Sequence, residues 1–86
     1  MLTDKEKTLK LNGAIPLGLL NKGEIATIVE IVLSEKICKR VKDLGLREGK
    51  AIEVVSNDGR GLVLVRVDDL RIAIGRGMSM NILVRR

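Results

Sequence analysis

The stretch Asp43-Leu44-Gly45-Leu46-Arg47-Glu48-Gly49 decides how this chain folds. A segment with apolar residues at helical spacing comes before it, and a segment rich in β-branched residues comes after it. Gly45 suits the left-handed position just beyond a helix, which is unfavourable for a residue with a Cβ. Leu46 is placed to fill a core beneath that helix, and Gly49 to begin a turn. The stretch therefore predicts the end of a helix, then a residue that fills the core beneath it, and then a strand.

The predicted helix has a recognisable start and two different faces. Ser34 is a candidate N-cap, because its hydroxyl can accept a hydrogen bond from a first-turn amide. Apolar side chains at i, i+1, i+4 and i+7 predict one buried stripe, which consists of Ile37, Cys38, Val41 and Leu44. The opposite face carries Lys36, Lys39, Arg40 and Asp43. We expect Cys38 to behave as a small buried hydrophobic residue.

Short strands separated by turns account for most of the remaining chain. The first, at 24–33, is apolar on both faces, which indicates a central or strongly bent strand. Alternation and turn residues predict further strands, at 51–56, 62–67, 70–74 and 81–85. Before them, 15–20 is apolar but interrupted by Pro16 and Gly18, and is predicted to be a packed segment with one helical turn.

Strands of this number and spacing suit a small antiparallel barrel. We predict a mainly β, SH3-like barrel of about five strands with one short helix inserted after the first strand. A small OB-like barrel is the alternative. Residues 1–13 are charged and without period, so we expect a flexible N-terminal segment followed by one domain at 14–86. No apolar run approaches the ~20 residues that cross a bilayer, and we expect a soluble, cytoplasmic chain without membrane insertion.

The residue types that are missing exclude several classes of function. The 86 residues include no Phe, Tyr, Trp or His and only one Cys. The usual neutral-pH acid–base group, the commonest metal ligand and the usual zinc sites are therefore absent. Stacking platforms for single-stranded nucleic acid are absent too. Because no nucleophile–base pair or metal triad is recognisable, we expect no enzyme, no cofactor and no resident metal.

The order of these features resembles the ferrous-iron transport protein A (FeoA) family. The resemblance covers roughly 15–84 and is clearest in Asp43-Leu44-Gly45-Leu46 followed by Gly49. It includes Gly23 before an Ile-rich strand and the closing Asn81-Ile82-Leu83-Val84. Two segments depart from the family. The hairpin loop at 57–61 is short and lacks proline, and 75–80 carries glycine and methionine where the family has a more helical turn.

The resemblance implies a cytoplasmic accessory protein of a bacterial ferrous-iron uptake system. Its partner would be the membrane permease, which carries a cytoplasmic GTPase domain. The same small barrel resembles the C-terminal domain of iron-dependent repressors. A nucleic-acid-binding or regulatory barrel is therefore the alternative, and the net charge of +5 favours it. The missing aromatic residues count against direct nucleic-acid binding.

Candidate partner-binding residues lie on the helix and just beyond it: Lys36, Lys39, Arg40, Arg47 and Glu48. A cationic helix face can attract an acidic patch on a partner, although it can also be an ordinary solvated face. The turn carboxylates of Asp58, Asp68 and Asp69 need no metal, since Asp in a turn bonds its own backbone. The loops Gly59-Arg60-Gly61 and Gly75-Arg76-Gly77 lack the following helix and the lysine of a phosphate-binding loop.

Overall fold

Residues 13–86 form an antiparallel sheet with short helices between its strands. This computed structural model describes those residues only, so the expectation for 1–13 lies outside them except at Gly13. The strands are β1 (Ile15–Pro16), β2 (Ile25–Ile31), β3 (Ala51–Asn57), β4 (Val63–Val67), β5 (Leu70–Ile74) and β6 (Ile82–Arg85). The helices are a 3-10 turn (Leu17–Leu19), α1 (Glu35–Asp43) and α2 (Arg76–Ser79). The six strands lie in the order β1-β6-β2-β3-β4-β5, and every neighbouring pair is antiparallel.

The core is made by alternate residues of the strands. Along β4 the residues Val63, Val65 and Val67 are buried while Arg66 points to solvent, as the twofold strand period requires. Ile52 and Val54 of β3 and Ile82 and Val84 of β6 complete that layer. Leu17 and Leu20 cover its end, which confirms that the first apolar segment packs and contains one helical turn.

A β-bulge explains why β2 is apolar on both faces. Ala26 and Ile28 face the core, whereas Ile25 is 64% exposed. Beyond Ile28 the register with β6 shifts by one residue, so Val29 is extra. A bulge bends the strand and changes which residues face inward, and Ile31 accordingly packs against the core. The expectation of a central or bent strand is confirmed.

The end of α1 is a Schellman motif. The amide of Leu46 donates to the carbonyl of Val41 at 3.1 Å, and that of Gly45 donates to Lys42 at 2.9 Å. Gly45 has a φ of 102°, so the predicted left-handed stop is confirmed. Leu46 and Val41 are both fully buried, and this apolar pair attaches the helix to the barrel. At the other end, Ser34 Oγ accepts from the amide of Ile37 at 3.3 Å, as predicted.

The turn after Leu46 is bonded directly to β2. The amide of Gly49 donates to the carbonyl of Ile28 at 2.8 Å, and the amide of Ile28 donates to Lys50 at 2.9 Å. The ammonium group of Lys50 also lies 2.8 Å from the carboxylate of Asp68, in the reversal between β4 and β5. The stretch 43–49 is therefore fixed at both of its ends.

Two elements were missed by the sequence prediction. Strand β1 has only two residues, and its pairing with β6 defines it. At 75–80, where the composition departs from that of the family's more helical turn, the short helix α2 nevertheless forms. Arg76 explains this helix: its Nη1 donates to the carbonyl of Gly18 at 2.7 Å and its Nη2 to Oδ1 of Asn57 at 2.8 Å. Tertiary bonds, not local propensity, hold the turn.

Replacing Gly45 with alanine should lower the free energy of unfolding by about 1 kcal/mol, because a Cβ is strained at positive φ. Gly61→Ala is the matched control, since its added Cβ meets nothing within 4 Å and its φ is not left-handed. Urea unfolding followed by far-UV circular dichroism measures both. Equal stabilities for the two variants would contradict a conformational role for Gly45.

Asn57→Ala should cost about 2 kcal/mol of unfolding free energy, because the carbonyl of Leu20 loses its Asn57 donor and Nη2 of Arg76 loses its Asn57 acceptor. Nδ2 of Asn57 donates to Gly18 at 3.0 Å and to Leu20 at 2.7 Å. Among residues 13–86, Asn81→Ala removes an exposed side-chain bond to Gly77, and we expect a change within about 0.5 kcal/mol. The same urea titrations compare them, and a similar loss in both would show that the Asn57 bonds add nothing.

Candidate interaction surface

All five candidate partner-binding residues are exposed on α1 and the turn after it. Two shallow depressions adjoin there. One is lined by Glu35, Lys36, Cys38, Lys39 and Lys42. The other is lined by Lys39, Lys42, Asp43, Arg47 and Glu48. Because both depressions include Lys39 and Lys42, they form one continuous surface. The name α1 surface is used for these depressions and the exposed side chains of the helix.

The structure brings most of the predicted residues together and adds one. Lys36, Lys39, Arg47 and Glu48 line the depressions, whereas Arg40 lies on the helix but lines neither. Lys42 was missed. Its spacing of three from Lys39 was the available signal, because helix residues three apart are neighbours.

Most of the cations on the α1 surface are uncommitted within residues 13–86. Lys36, Lys39, Arg40 and Lys42 have no side-chain hydrogen bond or ion pair to another described residue. Arg47 differs, since its Nε donates to the carbonyl of Lys42 at 3.3 Å. A cation at this place satisfies a last-turn carbonyl and suits the negative end of the helix dipole.

The predicted buried stripe of α1 is only partly buried. Val41 is fully covered, but Ile37 is 39% and Leu44 50% exposed. The helix contacts the barrel through Val41 and the following Leu46, so residues at the edges of the stripe stay at the border with solvent. The expectation that all four stripe residues face the core was therefore wrong for Ile37 and Leu44.

Cys38 is half-buried at the edge of the first depression. Its Sγ lies 3.4 Å from the carbonyl oxygen of Leu33 and 3.7 Å from that of Ile31. A thiol is a weak donor, so these contacts orient the side chain inward. Its role as a small packing residue stays a prediction.

Cys38 should react with a disulfide reagent such as Ellman's reagent markedly more slowly in the folded protein than in denaturant, because the half-buried thiol faces main-chain carbonyls. Absorbance of the released thiolate at matched pH gives both rates. The denatured chain is its own control, and equal rates would contradict the packing role.

The remaining candidate chemistry is local or structural. No group of three or more Cys, Asp or Glu within the described part of the chain could hold a metal. Asp58 accepts from the amides of Arg60 at 2.8 Å and Gly61 at 3.1 Å, and these bonds lower the pKa of its carboxyl. Gly75-Arg76-Gly77 does lead into a helix, which corrects the expectation. However, the Arg76 guanidinium bonds Gly18 and Asn57 instead of facing outward.

Comparison with known proteins identifies the family. A family profile described as the FeoA domain matches residues 15–86. The chain belongs to the FeoA family. Membership indicates a role in ferrous-iron transport, and neither the family nor its fold is known for enzymatic activity. No helix formed by residues 13–86 has the length and apolar character needed to cross a membrane.

Solved structures agree on the fold. The crystal structure of an iron uptake regulatory protein (FeoA) has a TM-score of 0.79 at 26% identity, covering 84% of this chain and 96% of that chain. A FeoA-like protein from Clostridium acetobutylicum has a TM-score of 0.74 at 18% identity, covering 86% and 87%. IdeR of T. acidophilum has a TM-score of 0.80 at 28% identity, covering 95% of this chain but 38% of IdeR. No curated protein sequence matches the chain.

These likenesses confirm the SH3-like barrel in preference to the OB-like alternative. They also confirm the resemblance to the FeoA family, and they show that the fold is shared with part of IdeR. They leave the five candidate partner-binding residues as predictions, because a shared fold does not by itself assign a surface.

Proposed function

We propose that this FeoA-family protein is a cytoplasmic accessory of a bacterial ferrous-iron uptake system. It acts by protein–protein contact with the membrane permease and its GTPase domain, through the α1 surface. The observation that supports this most is the set of cations on one short helix without partners in the described chain. A barrel whose charged groups were all paired internally would offer less to an acidic partner.

The charges would act mainly on the encounter. Exposed cations at the rim of an interface attract an acidic partner and raise the association rate more than they tighten the complex. Arg47 and Glu48 lie in the turn that follows α1, where the carbonyl of Arg47 accepts from the amide of Lys50 at 3.1 Å. Residues 14–86 are proposed as the unit that docks. Its effect on the permease comes from contact and not from chemistry carried by this chain.

Charge reversal tests this function. The triple variant K36E/K39E/R40E should weaken binding to the purified cytoplasmic domain of the permease about tenfold or more, which corresponds to ~1.4 kcal/mol. The loss should shrink as salt is raised, because screening removes charge attraction. Isothermal titration calorimetry at two salt concentrations measures both effects.

The control carries the same change in charge at other places. Lys22, Arg60 and Arg71 are exposed, lie outside α1, line neither depression and have no side-chain ion pair within residues 13–86. K22E/R60E/R71E should therefore bind nearly as well as the original protein. If both triples lose affinity equally, net charge and not the α1 surface determines binding. If K36E/K39E/R40E binds unchanged, the α1 surface is not the docking site.

The likeness to IdeR favours a second candidate, a regulatory barrel related to repressor domains. In that role the chain would bind nucleic acid or assist a protein that does. Binding based on phosphate contacts fades steeply as salt rises. A gel shift that persists at moderate salt, together with no binding to the permease domain, would select this candidate.

A further inference from the structure

The α1 surface contains an apolar ridge beside its cations. Ile37 and Leu44 are seven residues apart, so they share one side of the helix about 10.5 Å apart along its axis. Both are substantially exposed, at 39% and 50%, while Val41 between them is buried. We call Ile37 and Leu44 the Ile37–Leu44 ridge.

Exposure of single apolar residues is common on protein surfaces and alone indicates nothing. The spacing of the ridge and its neighbours are more specific. Arg40 lies between the two apolar residues along the helix, and Lys36 directly precedes Ile37. At 3.6 residues per turn, both cations project from the solvent side of the ridge. Apolar side chains at i and i+7 are among the anchors by which an amphipathic helix docks in an apolar groove.

We infer that the Ile37–Leu44 ridge inserts into an apolar groove with carboxylates on its rim, on the cytoplasmic part of the permease. This inference rests on the proposed function and adds the chemistry of the partner surface. The apolar residues would be desolvated in the groove, and Lys36 and Arg40 would meet the acidic rim. The acidic rim is inferred from the cations by charge complementarity, and the apolar groove is inferred from the apolar ridge beside them.

The two kinds of contact predict different kinetic effects. Desolvated apolar residues hold a formed complex together, so their loss raises the dissociation rate. Rim charges speed the encounter, so their reversal lowers the association rate. Because only two apolar residues and a short helix are available, the interface is small, as in transient complexes.

An anionic lipid surface is the competing occupant, since interfacial helices also combine apolar and cationic side chains. Helix α1 fits that role less well. It has nine residues, its Val41 is committed to the barrel, and the acidic Glu35 and Asp43 lie on its exposed surface. Only two side chains remain for insertion into a bilayer. A protein groove is therefore favoured, and vesicle binding becomes an outcome of the test.

The test compares the binding kinetics of the original full chain, K36E/K39E/R40E and three further variants with the immobilised cytoplasmic domain of the permease. The I37A/L44A variant should dissociate about tenfold faster with an association rate within about threefold of the original protein. The I25A/L62A variant truncates side chains that are 64% and 62% exposed elsewhere, and it should dissociate at the original rate. The I37M/L44M variant keeps apolar contacts and should restore slow dissociation. Thermal melts show whether each variant is folded.

The outcomes separate this inference from the proposed function. If I37A/L44A dissociates like I25A/L62A while K36E/K39E/R40E still associates slowly, the ridge is wrong and the docking surface stands. If the unmodified chain does not bind the permease domain, the proposed function fails and the groove fails with it. If the unmodified chain sediments with vesicles containing phosphatidylglycerol, I37A/L44A does not, and neither variant differs on the permease domain, the occupant is a membrane and the inference is overturned.

Discussion

The Schellman motif at the end of α1 joins the helix to the core of the barrel. The amide of Leu46 donates to the carbonyl of Val41. This one motif therefore ends the helix and places the side chain of Leu46 in the core. Three residues further on, the amide of Gly49 donates to the carbonyl of Ile28 of β2. The helix is therefore fixed to the sheet through its C-terminal turn. Gly45 allows this at a φ that other residues rarely adopt.

That mode of attachment determines what the surface of α1 can present. A helix that buries one side chain of its own, Val41, leaves most of its circumference to solvent. The helix cations Lys36, Lys39, Arg40 and Lys42 therefore remain outside the core and have no side-chain partner among residues 13–86. The same geometry leaves Ile37 and Leu44 at the border, where an apolar side chain gains little from folding. The turn at the end of α1 therefore has two consequences: the helix is attached to the barrel through few side chains, and its remaining side chains stay exposed.

Features that depend on residues close together in the sequence were predicted correctly. Ser34, Gly45 and the turn at Asp68 follow from capping and turn chemistry, and the alternation of β4 follows from its sequence. The exposure of Leu44 was not predicted, because a stripe at helical spacing does not say how closely the helix approaches the sheet. Strand β1 and helix α2 were missed for a related reason: each is defined by distant partners, β6 for one and Gly18 for the other. Residue spacing along the helix predicted most residues of the α1 surface, but their common role still depends on a partner protein.

The most direct measurement is a two-dimensional ¹⁵N–¹H correlation spectrum of the labelled chain, titrated with the cytoplasmic domain of the permease. We expect amide shifts to change at 35–48, including Lys36, Lys39 and Arg47, while those on the outer face of β4 and β5, which carries the exposed Arg66 and Arg71, stay unchanged. Shift changes confined to that outer face, with residues 35–48 unaffected, would contradict it.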